Sequence, residues 1–191
     1  MEVMKKHLLI IALLTLTVTI NAQSIFGAKA GLNVSSLTKV DNVSARVRPL
    51  IGFYGIYQIT DIYALQAEIL YSWQGANCNI EQELGNKYAK VSIDYLKIPV
   101  LFKYNVWDKL SVDAGISFNL LMSAKESYGS DSYGIKGLNG LDISVPLSVS
   151  YVLWSKVDLS MRYDISLSDM NWGSRRGIYN TNLSISVGYR F

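Results

Sequence analysis

The sequence predicts an all-β chain: an eight-stranded antiparallel up-and-down transmembrane β-barrel, with ten strands as the alternative. Three observations point there. Beyond an N-terminal apolar run, no segment keeps apolar residues at helical spacing for three turns, whereas alternation of period two recurs throughout. The alternating segments are about ten residues long, the length a tilted strand needs to cross a bilayer. The connections run long, short, long, short, long, short, long, which puts every long one on the same side of the sheet.

Residues 1–22 are expected to be a signal peptide. Lys5 and Lys6 precede an apolar run from Leu8 to Ile20, too short for a helical span of about 20 residues, and Ala22 offers a small residue to cut behind. Residues 23–191 then form the one domain that 191 residues allow. Cleavage removes Glu2, Lys5 and Lys6 and leaves a net charge of about +2, too weak and too scattered for a nucleic-acid footprint. A charged share of 17% against 50% hydrophobic excludes disorder.

The strands follow in order. The first sets Phe26, Ala28, Ala30, Leu32 and Val34 against Gly27, Lys29, Gly31, Asn33 and Ser35. The second, from Pro49 to Ile59, is less clean: Ile51, Phe53, Tyr57 and Ile59 share one face, but Leu50, Tyr54 and Ile56 occupy the other. In the third, Leu65, Ala67, Ile69, Tyr71 and Trp73 oppose Gln66, Glu68, Ser72 and Gln74. The fourth, from Val91 to Tyr104, opposes Leu96, Ile98, Val100, Phe102 and Tyr104 to Lys97, Pro99 and Lys103. The fifth faces Leu110, Val112, Ala114, Ile116 and Phe118 away from Asp113 and Asn119; the sixth faces Ile143, Val145, Leu147, Val149 and Tyr151 away from Asp142, Ser144 and Ser148. Val157, Leu159, Met161, Tyr163 and Ile165 oppose Asp158, Arg162 and Asp164 in the seventh; Leu183, Ile185, Val187, Tyr189 and Phe191 oppose Ser184, Gly188 and Arg190 in the last. Pro99 and Pro146 each remove a ladder donor and argue for a bulge or an edge.

Between these segments, Thr38 to Arg48, Gly75 to Lys90, Met122 to Leu141 and Ser166 to Asn180 are expected as long external loops; Thr60 to Ile62, Asn105 to Lys109 and Trp154 to Lys156 are short turns. The ten-strand alternative would place extra strand within Met122 to Leu141.

Alternation alone fits a soluble barrel with an apolar inside as well as a membrane barrel with an apolar outside. The charges favour the membrane. Lys29, Lys97, Lys103, Arg162 and Arg190, with Glu68, Asp113, Asp142, Asp158 and Asp164, all fall on the polar face, beside the small Gly, Ser and Asn residues that fit a narrow lumen. Charges buried there must pair to offset desolvation. Phe26, Tyr57, Tyr63, Tyr104, Trp107, Trp154, Tyr189 and Phe191 gather at the short-turn ends, as an interfacial girdle would.

The chemistry is bounded by what is scarce. The one histidine, His7, lies in the signal peptide, and Cys78 is the one cysteine, so no disulfide, zinc or transition-metal site, cofactor or histidine-based catalytic centre is expected. Cys78 is expected to be an inert loop thiol. In the last long loop, Arg175 and Arg176 beside Trp172 are candidates for meeting lipopolysaccharide phosphates or an acidic surface partner. Tyr128, Asp131 and Tyr133 occupy the third.

The chain from Phe26 to its end also carries Phe26-Gly27-Ala28-Lys29-Ala30-Gly31-Leu32-Asn33, Tyr95-Leu96-Lys97-Ile98-Pro99-Val100-Leu101-Phe102-Lys103-Tyr104, Ala114-Gly115, Arg162-Tyr163 and a terminal Gly188-Tyr189-Arg190-Phe191. In these it resembles the outer-membrane β-barrel (porin-like, PorT-like) domain family, similar in architecture to the small OmpA and OmpX barrels. Leu-x-Ile-Pro before an apolar strand belongs to that resemblance and accounts for Pro99. Ser166-Leu167 departs from the Gly-Leu expected after Arg162-Tyr163. The resemblance implies insertion into outer-membrane lipid, with Tyr189 and Phe191 as the signal read by the barrel-assembly machinery. The expected function is a non-enzymatic structural or surface-interaction role through long loops that meet a surface or envelope partner. The alternatives are a small-solute porin and a soluble periplasmic lipid-binding barrel.

Overall fold

Alternation becomes strand over most of the described residues. The computed structural model describes residues 24–38, 43–82, 85–128, 131–135, 137–169 and 179–191. They form β1 (Ser24–Leu37), β2 (Val43–Gln58), β3 (Tyr63–Gln82), β4 (Gly85–Trp107), β5 (Leu110–Tyr128), β6 (Asp131–Gly134), β7 (Leu141–Trp154), β8 (Val157–Ser166) and β9 (Asn180–Arg190). Each pairs antiparallel with its neighbour, and β1 pairs with β9 from Gly27↔Arg190 to Leu37↔Asn180, so the sheet closes on itself. Eight strands make the ring. The four-residue β6 pairs with the far end of β5, while β7 takes the next place in the ring beside β5. Extra strand therefore does lie between Met122 and Leu141, but it does not widen the barrel to ten.

The apolar face points out. Ile51, Phe53, Ile69, Val100, Phe102, Ile116, Leu147, Met161 and Ile185 are exposed, whereas Lys29, Glu68, Lys97, Asp113 and Arg162 are buried inside. This polarity excludes the soluble lipid-binding barrel, whose apolar residues would line the lumen. All eight girdle aromatics are exposed at the short-turn end, with Tyr63 stacked near Phe102 and Tyr104 at centroid distances of 5.5 and 5.7 Å.

Both prolines sit inside ring strands rather than at an edge. Across the β3–β4 ladder the pairing steps from Ala67↔Val100 to Leu70↔Lys97, skipping Pro99; across β5–β7 it steps from Ala114↔Leu147 to Ser117↔Ser144, skipping Pro146. Each missing N–H opens the ladder on one side, while the other side stays paired, Pro99 with Ser117 and Pro146 with Asp164.

The expected long loops are the larger correction. Gly75 to Lys90 is a β3–β4 hairpin paired from Gly75↔Ser92 to Gln82↔Gly85, and Cys78 lies in strand opposite Val43 and Ala89, not in a loop. Likewise β2 begins at Val43, within the expected first loop, and β5 runs on to Tyr128. The reason is a reversal of polarity. On β4 the outward positions Tyr104, Phe102, Val100, Ile98 and Leu96 give way to Asp94, Ser92 and Lys90, while the inward ones change from Lys103 and Lys97 to Tyr95, Ile93 and Val91. Alternation persists, but with its faces exchanged, so a search for a continuous apolar face stops at the reversal.

Three irregularities mark that level. β2 carries an extra residue between Ala45 and Leu50, β5 bulges at Met122 between Asp94↔Ser123 and Tyr95↔Leu121, and Gly75 adopts φ +149°. A Cβ at Gly75 would lie 2.1 Å from the Val91 carbonyl oxygen. The Gly75 N–H donates to the Ser35 hydroxyl, which donates in turn to the Gly75 carbonyl, both at 2.8 Å. Arg48 reaches over the Gln74 carbonyl to Asp94 (3.1 Å), and Arg46 reaches Ser92 (2.8 Å), tying β2 to β4 across β3.

Candidate functional site

The lumen is crossed, not open. Its central layer joins three strands: Glu68 on β3 accepts a bidentate pair from Arg162 on β8, at 2.6 and 2.8 Å, and a third bond from Lys29 on β1 at 2.9 Å. Gln66 donates to the same carboxylate. Glu68 is 1% exposed and Arg162 5%, and β3 and β8 are not neighbours in the ring, so the guanidinium bridges the bore. At this depth of burial a fork-to-fork pair is among the strongest polar contacts available to side chains.

Toward the short turns, Lys103 pairs with Asp113 at 2.8 Å directly across the β4–β5 ladder, and Ser150 donates to the same carboxylate. Asp158 accepts from the Tyr54 phenol (2.7 Å) and from Arg190 (3.2 Å). Tyr54 thus crosses the lumen from β2 to β8, and a Cβ at Gly27 would lie 2.5 Å from its ring. That explains the untidy second strand: Tyr54 and Ile56 face inward because they pack with Ala64 and Ile25 into an apolar floor. A vestibule of about 190 Å³ lies at this mouth, lined by Trp107, Lys103 and Arg190 among others.

Toward the long connections, Lys97 on β4 reaches Asp164 on β8 at 2.5 Å, and Asn182 donates to that carboxylate and to Asn33. Asp142 accepts from Asn119 (3.0 Å) and from the Ser166 hydroxyl. Above them Ala76, Val91, Ile93 and Tyr95 form an apolar cap with Val43, Leu121, Ile135 and Leu138. Polar crossings, an apolar floor and an apolar cap together fill the bore, as the small circumference of eight strands favours.

Of the ten charges on the polar face, nine are buried and Arg190 is half-buried at the short-turn mouth, but the pairing is not one to one. Glu68 takes two cations, and Asp142 is held by an amide and a hydroxyl rather than a cation. Sequence spacing does not disclose partners that meet across a lumen. Tyr54, Asn33, Asn182 and Gln66 join the network with no charge to mark them in the sequence; only Tyr54 carries a signal, its place on the inner face of a strand whose other aromatics face lipid. Tyr189 and Phe191 are exposed at the end of β9, with ring centroids 6.3 Å apart. Trp172, Arg175 and Arg176 lie outside the described residues. Tyr133 and Asp131 sit on β6, with Tyr133 exposed.

A closed ring with lipid-compatible residues outside and paired charges inside defines an integral membrane β-barrel. Residues 21–171 match the outer membrane protein beta-barrel domain family, and the chain belongs to it, which places it with proteins of the bacterial outer membrane. Two solved structures are similar. Neisserial surface protein A aligns with a TM-score of 0.59 at 14% identity, over 88% of this chain and 97% of that one. Ail, the attachment invasion locus protein of Yersinia pestis, aligns with a TM-score of 0.54 at 11% identity, over 88% and 99%. At these identities the likeness is one of fold. No curated protein matches the sequence.

Proposed function

We propose that this protein is a non-enzymatic surface-interaction protein whose barrel is a closed anchor and whose strands beyond the reversal form the contact platform. The carrying observation is the exchange of faces at Asp94 and Tyr95. Above it, Asp94, Ser92 and Lys90 on β4 and Ser123 and Lys125 on β5 share a water-compatible outer face, held by a packed apolar inner one. Such an ordered sheet presents fixed groups without the ordering cost a flexible loop would carry. Arg175 and Arg176 with Trp172 would extend this surface toward an acidic or phosphate-bearing partner. Residues 1–22 would direct export, and the Tyr189–Phe191 end would be read during barrel assembly. The name of Ail, an attachment protein on the same fold, is consistent with this reading.

A photo-crosslinking residue placed at Tyr133 or Lys125 in intact cells should give protein or glycan adducts, whereas one at Val100 should give lipid adducts only. Absence of non-lipid adducts at the first two overturns the platform. The porin alternative is tested by planar-bilayer conductance of the folded, heat-modifiable protein: silence is expected, and reproducible discrete steps would favour the porin.

A further inference from the structure

We propose that the loop-side end of the lumen holds one small hard cation, of the sodium class, between Asp142 and Asp164. A cavity of about 10 Å³, the size of one water or one small ion, is lined there by Asp142, Asp164, Asn182, Asn119, Ser166 and Lys97, among other polar residues. Two side-chain oxygens at this place have no hydrogen-bond donor: Asp164 Oδ1 and Asn182 Oδ1, on residues only 4% and 2% exposed. Buried acceptors left without a donor in a native protein point to a water or an ion. Charge favours the ion. Two carboxylates line the cavity against one ammonium, and that ammonium is engaged by Asp164, so Asp142 has no cation in contact among the described residues. The compensating excess, Lys29 plus Arg162, is committed to Glu68 in the layer below. With both carboxylates ionised the lining is one positive charge short, and its oxygen ligands then suit a hard monovalent ion. Lys97 disfavours a divalent one by repulsion. The scarcity of histidine and cysteine, which excludes zinc, does not bear on an oxygen site.

The ion would join β5, β7, β8 and β9 at the level where the lumen meets the apolar cap, making closure of the bore responsive to the cation present. The test uses the full mature chain folded in detergent. Its thermal midpoint is followed by heat modifiability while sodium chloride replaces choline chloride at constant ionic strength. A saturable rise of several degrees is expected in the wild type, and Asp142→Asn should raise the sodium-free midpoint and abolish the rise. Parallel behaviour in choline and sodium, or an unchanged rise in Asp142→Asn, overturns the proposal. Should Asp142→Asn not fold, crystals of the wild type grown with thallous ion replacing sodium serve instead. An anomalous peak within ligand distance of Asp142 and Asp164 supports the site, and a water without such a peak overturns it.

Discussion

Along β2 to β5 the membrane-crossing half and the half beyond Asp94 are built on the same strands, with the same period and opposite polarity. Below, large apolar residues face lipid and charges pair inside; above, polar residues face water and Ile93, Val91 and Tyr95 pack inside. Alternation alone thus says only that a strand has two environments. Which environment is water depends on where the strand sits relative to the bilayer, and the two halves should respond oppositely to the same kind of substitution.

The largest expected effect is in the lower half. Glu68→Ala strands Lys29 and Arg162 together in the lumen and should cost about 3–5 kcal/mol, read as a lower urea midpoint for folding into lipid vesicles. A neutral result would mean that water already screens the central layer. Next, Val100→Arg places a charge midway along the lipid-facing run of β4 and should cost about 2–4 kcal/mol in the same assay. In the upper half, Ile93→Val removes one methylene from the apolar cap at an expected cost of about 0.5–1.5 kcal/mol. Its signature is local: faster amide exchange in the β3–β4 hairpin with the ring's protection unchanged. The smallest effect is the sharpest contrast with Val100→Arg. Ser123→Arg, on the corresponding outer face above the reversal, should stay within about 0.5 kcal/mol of wild type. If Ser123→Arg proved as damaging as Val100→Arg, the membrane boundary would lie higher than Asp94.

The membrane-crossing half was legible because lipid imposes a strict demand: every second residue of each strand must be apolar, and each backbone group must be satisfied by a neighbouring strand. Ile51, Phe53, Val100, Ile116 and Met161 carry that demand openly. The upper half hid for the same reason. Beyond Trp73 and Leu96 the lipid constraint ends, and Asn77, Lys90 and Lys125 read as loop although the register pairs them in strands. Tyr54 and Ile56, inward on β2, blurred a strand whose inner apolar residues serve as a floor.

By itself the sequence determined the all-β class, the short-turn end with its aromatic girdle, the apolar face that turns outward, and the charged residues of the opposite face. These follow from local period and composition, which neighbouring residues in one strand reveal. Only the tertiary structure decided that Glu68 would bind two cations, that Asp142 would have none in contact among the described residues, and that Lys97 on β4 would find Asp164 on β8. Closure of the ring through β1 and β9 brings opposite walls within side-chain reach. Partners across a lumen are chosen by that geometry, and it leaves no trace in the spacing of residues along the chain.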